Sequence, residues 1–375
     1  MSVPMLDLVA QNVVVKQKVM DGLSTLIDRC TFVLGENVVG LETDMVSYSG
    51  SKFAVGMSSG TDALLVALMA LGVGHGDEVI LPSFTFFATG GVVARLGAVP
   101  VFVDIDPVTF NATPQAIESA ITTRTKAIMP VHLFGQLADM PKIMKIADSK
   151  GIPVIEDACQ SLGAKGWDKN AGQFGQLTGC SYYPTKNLGA FGDAGITLIR
   201  DDEALAQKVR RLRVHGMEPV YVHHEVGING RLDEFQALVL RAKLPFLEGW
   251  HEGRRKNAKW YMQRMQALSQ DDLQLPIEAV PDGRHIYNQF TVRVKRGRRN
   301  ELQAYLKARG IGSAIFYPIS LHQQPCFEYL EYEKGCLPET ELASEEVLSL
   351  PVYPEMTEAL LEEVAGAVME FFGSK

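Results

Sequence analysis

The chain reads as an α/β protein in two parts: a large domain with a mostly parallel central sheet flanked by helices, then a smaller α+β domain. Three observations predict this. Short apolar runs alternate with helical stretches through the first two thirds of the chain, which is the pattern of strands joined by crossover helices. The runs are continuously apolar rather than alternating, so their strands are buried on both faces. The pattern then changes after Trp250, and 375 residues, 46% hydrophobic and 21% charged, suffice for one large core and a second smaller one.

In order, residues 12–34 predict an amphipathic helix leading into Gly35. Ser58 to Gly72 predicts a strong helix, with Ser59 or Gly60 at its N-cap, Asp62 in the first turn and Gly72 as its stop. Strands are expected at 78–82, 99–104, 126–131 and 153–157, with helices at about 88–96, 114–121 and 140–150 between them. Long helices follow at 232–248 and 251–268. Beyond them come a strand at 288–295, a helix at 299–309, a strand-like run at 313–317, and helices near 340–348 and 357–371. The division therefore falls at 1–248 and 249–375. No repeat, low-complexity tract or flexible linker separates the parts, so they are expected to pack closely.

Charge narrows the partners. With 36 basic and 44 acidic residues the formal charge is −8, which argues against nucleic acid, and no polybasic stretch suits a membrane surface. No apolar run reaches a membrane span and Met1 to Leu8 lacks the features of a signal peptide, so a cytoplasmic protein is expected. Five scattered cysteines without a CxxC pair suit reduced thiols. His223-His224-Glu225 lacks the spacing of a metal motif, so a loop or interface role is expected there and no metal.

The chemistry starts at Lys186, in Ser181-Tyr-Tyr-Pro-Thr-Lys-Asn-Leu-Gly-Ala-Phe-Gly-Asp193. A lone amine between a proline turn and glycines suits a desolvated nucleophile, although a lysine there also reads as a loop charge. Gly60-Thr61, at a helix N-terminus, offers N–H groups and a hydroxyl to an anion, or is an ordinary helix start. Asp157 ends the apolar strand 153–157 and needs a cation or several donors; a protonated pyridine nitrogen would serve, as would a salt-bridge partner. Gln160 can reach a phenolic oxygen on the same ring, whereas Glu156 points the other way and reads as structural. Phe86 or Phe87 can cover a flat ring or simply pack. Together these are the requirements of pyridoxal 5′-phosphate. No G-x-G-x-x-G or P-loop supports a nucleotide-cofactor enzyme.

Five motifs carry a resemblance: Ser59-Gly-Thr-Asp-Ala-Leu64, Pro130-Val-His-Leu-Phe-Gly-Gln136 with Ala138-Asp-Met140, Glu156-Asp-Ala-Cys-Gln-Ser161, Ser181 to Gly189, and Gly227-Ile-Asn-Gly-Arg-Leu-Asp-Glu-Phe-Gln-Ala237. The chain resembles the DegT/DnrJ/StrS nucleotide-sugar aminotransferases of PLP fold type I, in the aspartate aminotransferase superfamily. The resemblance implies that Lys186 carries the cofactor, Asp157 partners its ring nitrogen and Gln160 its ring hydroxyl. It further implies that Gly60, Thr61 and Ser181 hold the phosphate, that Phe86 stacks on the ring, and that Asn229 reaches the neighbouring subunit's phosphate in a homodimer. Arg231 then faces an anionic substrate group or pairs with Asp233, and Phe316 and Tyr317 lie by the sugar. The implied reaction transfers an amino group from an amino acid, L-glutamate, to a keto group of a nucleotide-linked sugar, C3 favoured over C4. The alternatives are a PLP-dependent sugar dehydratase, disfavoured because such enzymes carry histidine in place of the lysine, and a silent regulatory protein on the same fold. Three positions depart from the family pattern: Cys159 for alanine, Ala194 for glycine, and Phe316 for histidine.

Overall fold

The computed structural model describes residues 2–373. Helices α1 (Leu8–Val13), α2 (Lys16–Arg29) and α3 (Glu36–Ser49) precede strand β1 (Phe53–Met57). The chain continues through α4 (Gly60–Ala70), β2 (Glu78–Pro82), α5 (Phe87–Arg95), β3 (Val99–Val103), α6 (Pro114–Ser119), β4 (Thr125–Ile128), α7 (Met140–Lys150) and β5 (Ile155–Asp157). A short hairpin, β6 (Lys165–Gly166) and β7 (Lys169–Asn170), leads to β8 (Leu177–Ser181), β9 (Gly195–Ile199), α8 (Glu203–Leu212) and α9 (Glu234–Lys243).

Backbone hydrogen bonds from Ile128 to Pro153 and from Asp157 to Pro130, at 3.0 and 2.9 Å, join β4 to β5. The large sheet thus runs β3-β2-β4-β5-β8-β9-β1. Strands from β3 to β8 are mutually parallel, while β9 lies antiparallel to both β8 and β1. Alternate residues enter different cores: Ile80 and Ile128 join one, Val79, Leu81 and Ala127 the other. Helices therefore cover both faces, which explains the unbroken apolar strands. Helix α4 buries Ala63 to Leu68 on every side, at about 1.5–3 kcal/mol for each leucine.

Because β1, β5 and β8 point the same way, Ser58 to Gly60, Asp157 and Ser181 come together at one sheet edge, the one formed by the carboxyl ends of these strands. That edge is where open α/β sheets place their ligands.

The C-terminal part comprises α10 (Leu247–Met265), β10 (Leu273–Gln274), β11 (Phe290–Val294), α11 (Arg299–Ala308), α12 (Pro338–Glu346), β12 (Val347–Leu350) and α13 (Glu358–Gly373). Its antiparallel sheet, β10-β11-β12, packs on helices through Tyr261, Phe290, Leu302, Leu348 and Val364. Val3 joins the same core and bridges Ile311, so the N-terminal residues belong to this part in space.

Several boundaries differ from the sequence reading. The 12–34 helix divides at Val14-Val15 and stops at Cys30, whose φ of 52° ends it. The 232–248 helix ends at Lys243 because Pro245 withholds an amide hydrogen, and α10 starts at Leu247 rather than 251. Residues 313–317 form no strand. Only Ala314 bridges Ser349, and Ile315 to Tyr317 pack instead against Phe84, Phe110 and Val131. The 340–348 helix gives way at Val347 to β12.

Candidate active site

The lysine loop folds as the glycines of its sequence suggest. Lys186 N–H donates to Tyr183 O, and Ala190 N–H to Tyr182 O, each at 2.8 Å. Gly189 has no alternative, since a β-carbon there would lie 2.3 Å from Pro184 O. Helix α9 braces the loop: Lys243 Nζ donates to Gly189 O at 2.7 Å and Phe191 N–H to Gln236 Oε1 at 2.9 Å. Burial lowers Lys243 to about 8. Burial likewise pushes the Lys186 amine below the usual lysine range, although Cys159 and Asp157 draw it back up. The Lys186 side chain makes no hydrogen bond or ion pair among the described residues.

Asp157 is 4% exposed. Its Oδ2 accepts from the Thr89 hydroxyl at 2.8 Å and its Oδ1 from Cys159 N–H at 3.1 Å. No cation reaches it through an ion pair among the described residues. Neighbouring Glu156 behaves as expected of a structural group. It accepts from His132 Nε2 at 2.9 Å and from the N–H groups of Gly172, Phe174 and Gly175. His132 Nδ1 accepts from Ala138 N–H, so the ring proton sits on Nε2. Burial raises the Glu156 carboxyl, but these donors outweigh it and hold it below the usual value.

Helix α4 starts at the same edge. Ser59 caps it through Asp62 N–H at 3.0 Å, leaving the N–H groups of Gly60 and Thr61 without partners among the described residues. A β-carbon on Gly60 would lie 2.6 Å from Ser181 Cβ and 3.1 Å from Cys159 Sγ. Only glycine lets the helix start approach Ser181 this closely. Cys159 thus lies inside the site, its thiol raised by burial and by Asp157.

Gln160 is buried and donates to Tyr317 Oη at 2.9 Å, while its Oε1 accepts from Phe134 N–H. Burial raises the Tyr317 phenol. Phe86 stands exposed at the start of α5, its ring centroid 6.2 Å from that of Tyr317. Phe87 instead packs on Phe327, 5.7 Å between centroids. Phe316 meets Tyr317 edge-on. Arg231 bridges Met57 through its backbone and forms no ion pair with Asp233 among the described residues, so the structural alternative for it is not realised. Asn229 is exposed and makes no side-chain hydrogen bond among the described residues.

His223 Nδ1 and His224 Nε2 meet the carbonyls of His215 and Glu218 at 2.9 and 2.5 Å, so this pair holds a loop. A different trio, His322, Cys336 and Glu341, brings its donor atoms within 4.8 Å of one another. There His322 already bonds Ser83 and Glu341, and Glu341 accepts from Gly335 N–H. A cavity of about 530 Å³ is lined by Asp106, Lys142, Trp167 and Val280 and by none of Gly60, Asp157 and Lys186; its amine, Lys142, is exposed and paired with Asp139 at 2.7 Å.

The arrangement fits pyridoxal phosphate on its own terms: a desolvated amine, a buried carboxylate with no ion pair among the described residues, and a helix start with open N–H groups. Comparison with known proteins agrees. The model of the DegT/DnrJ/EryC1/StrS aminotransferase family matches residues 15–369. The chain belongs to this family. Its members are PLP-dependent aminotransferases, and the match places this chain among PLP-dependent transaminases of fold type I. It is 49% identical to a pleiotropic regulatory protein of Geobacillus stearothermophilus, covering 99% of both chains. It is 44% identical to the UDP-N-acetyl-3-dehydro-α-D-glucosamine 3-aminotransferase of Acidithiobacillus ferrooxidans, over 98% of this chain and 97% of that one. To the UDP-2-acetamido-2-deoxy-3-oxo-D-glucuronate aminotransferase of Pseudomonas aeruginosa it is 42% identical, over 97% and 98%. The structure of DesV from S. venezuelae, in complex with a ketimine intermediate, superposes with a TM-score of 0.94 at 38% identity, over 99% and 98%.

Sequence reasoning missed Thr89, Gln236 and Lys243. Gln236 stood in a quoted motif with no role assigned. Thr89 and Lys243 carry no local signal, because only the packing of α5 and α9 brings them to the site.

Proposed function

We propose that this PLP-dependent aminotransferase takes its amino group from L-glutamate and delivers it to the C3 keto group of a UDP-linked sugar, in the cytoplasm, as a homodimer. The convergence of Lys186, Asp157 and the start of α4 at one sheet edge carries this reading. The C3 preference is supported by the 3-keto sugars in the names of the two aminotransferase relatives.

When bound, the cofactor supplies an imine-forming carbonyl and a sink for the electrons of a carbanion. The open N–H groups of Gly60 and Thr61, with Ser181, hold its phosphate. Asp157 keeps a proton on the ring nitrogen, Gln160 meets the ring hydroxyl, and Phe86 covers one ring face. Lys186 moves a proton from the donor's Cα and later delivers one to the sugar's C3; burial favours the neutral amine this requires. One Lys186 serves both halves, so donor and sugar act in turn at one site. Arg231, free of Asp233, meets a substrate anion, and Phe316 and Tyr317 border the sugar. The division at 248/249, inside the first turn of α10, separates the cofactor-bearing part from the part that brings these last two residues to it.

Asn229 completes the phosphate site of a second copy. Its exposed side chain, without a hydrogen bond among the described residues, supports this, as do Tyr221 and Val226 nearby, apolar yet 87% and 91% exposed. The test is transfer of nitrogen-15 from labelled L-glutamate to a UDP-linked 3-keto hexosamine, read by mass spectrometry. Label at C3 is expected. Label that stays in glutamate, with every 3-keto sugar tried, refutes the reading.

A further inference from the structure

Behind Asp157 stands a line of two hydroxyls. Thr89 and Thr85 are 1% and 3% exposed, and Thr85, Phe86 and Thr89 lie together where α5 begins. Thr89 Oγ1 lies 2.8 Å from Asp157 Oδ2, and Thr85 Oγ1 lies 3.1 Å from Thr89 Oγ1. An ionised carboxylate only accepts, so Thr89 donates to it. A hydroxyl has one hydrogen, so Thr89 can then only accept from Thr85. The direction follows: Thr85 to Thr89 to Asp157. Each donation strengthens the next. The other carboxylate oxygen is held by Cys159 N–H at 3.1 Å. Asp157 is thus gripped from its own loop on one side and from α5 on the other, and its plane cannot turn without breaking one grip.

We propose that the Thr85–Thr89 hydroxyl relay positions Asp157, fixing the direction in which it meets the cofactor's ring nitrogen and so how firmly the cofactor is held. This rests on the reading of Asp157 as the ring-nitrogen partner. It also gives α5 a double role, since the helix that Phe86 caps would set the ring's cover and, through Thr89, the angle of its acid. Neither threonine touches the reacting atoms; both are positioning residues.

The test titrates the apo-protein with pyridoxal phosphate, following protein fluorescence, and then records the visible absorbance of the bound cofactor against pH. Thr89→Val removes the donor and nearly keeps the volume; Thr89→Ser keeps the donor. The expected result is about a tenfold or greater loss of cofactor affinity and a displaced pH profile for Thr89→Val, the size expected of one charge-assisted hydrogen bond. Thr89→Ser stays within about twofold of the parent, and Thr85→Val moves the same way as Thr89→Val by less. Equal melting of the apo-forms confirms that all of them fold. Parent-like affinity and pH profile in Thr89→Val overturn the relay, as does a Thr89→Ser variant as weak as Thr89→Val. Asp157→Asn separates the two claims: weak binding there beside normal binding in Thr89→Val sinks the relay alone, whereas normal binding in Asp157→Asn sinks the role of Asp157 itself.

Discussion

Replacing Gly60 by alanine tests the anion cup with a single methyl group. The added carbon would lie 2.6 Å from Ser181 Cβ, whereas carbon atoms rest about 3.5–4.0 Å apart, so the start of α4 and Ser181 must part by about 1 Å. Such overpacking costs about 1–3 kcal/mol of stability. The larger effect falls on the ligand. A phosphate oxygen about 2.9 Å from the Gly60 and Thr61 N–H groups would move past hydrogen-bond range, and each bond to a charged acceptor contributes about 1.5–3 kcal/mol. Losing the equivalent of one to two bonds weakens cofactor binding about 100-fold. The assay is fluorescence titration of the apo-enzyme with pyridoxal phosphate, with thermal melts in parallel. Gly249→Ala is the control: it lies in α10 with nothing within 4 Å of the new carbon, and should raise stability by about 0.5–1 kcal/mol with cofactor affinity unchanged. Unchanged cofactor affinity in a folded Gly60→Ala protein would refute the cup.

Three further outcomes are expected. Mixing Lys186→Ala with Asn229→Ala subunits, each inactive alone, should restore about a quarter of parental activity on random reassociation, because one site of each mixed dimer is intact if Asn229 acts across the interface; no recovery places both residues in one subunit's site. Glu156→Gln, facing five donors, the Thr178 hydroxyl included, around a buried anion with a group that is part donor, should lose about 3–5 kcal/mol in denaturant melts. Because the Glu156 carboxyl is held below its unfolded value, its contribution is complete above about pH 4.5 and lost as pH falls through the lower folded value; the parent should show this acid loss and Glu156→Gln should not. In the apo-protein, Lys186 should react with an amine-labelling reagent at a pH below that of surface lysines, which titrate near about 10.4, as peptide mapping across a pH series would reveal.

The large domain was legible because its strands are continuously apolar and its helices carry caps and glycine stops, as at Ser59 and Gly72. Strands β8 and β9 were missed, since Leu177-Thr-Gly-Cys-Ser181 and Gly195 carry turn-like residues inside a buried sheet. The run at 313–317 failed for the opposite reason: its apolar residues report burial, and burial there comes from packing on Phe84 and Phe110 rather than from a ladder. In the site, Lys186, Asp157 and Gly60 stood out because each is unusual where it stands. Thr89 and Lys243 did not, being ordinary residues of ordinary helices until the fold sets one against Asp157 and the other against Gly189.

The central claim is that Lys186 carries the cofactor, and borohydride reduction tests it most directly. The protein loaded with pyridoxal phosphate is reduced, digested and mapped by mass spectrometry. The cofactor's mass is expected on the peptide containing Lys186, and should vanish from the map in Lys186→Ala. Cofactor found on another lysine, or on none, would contradict the assignment.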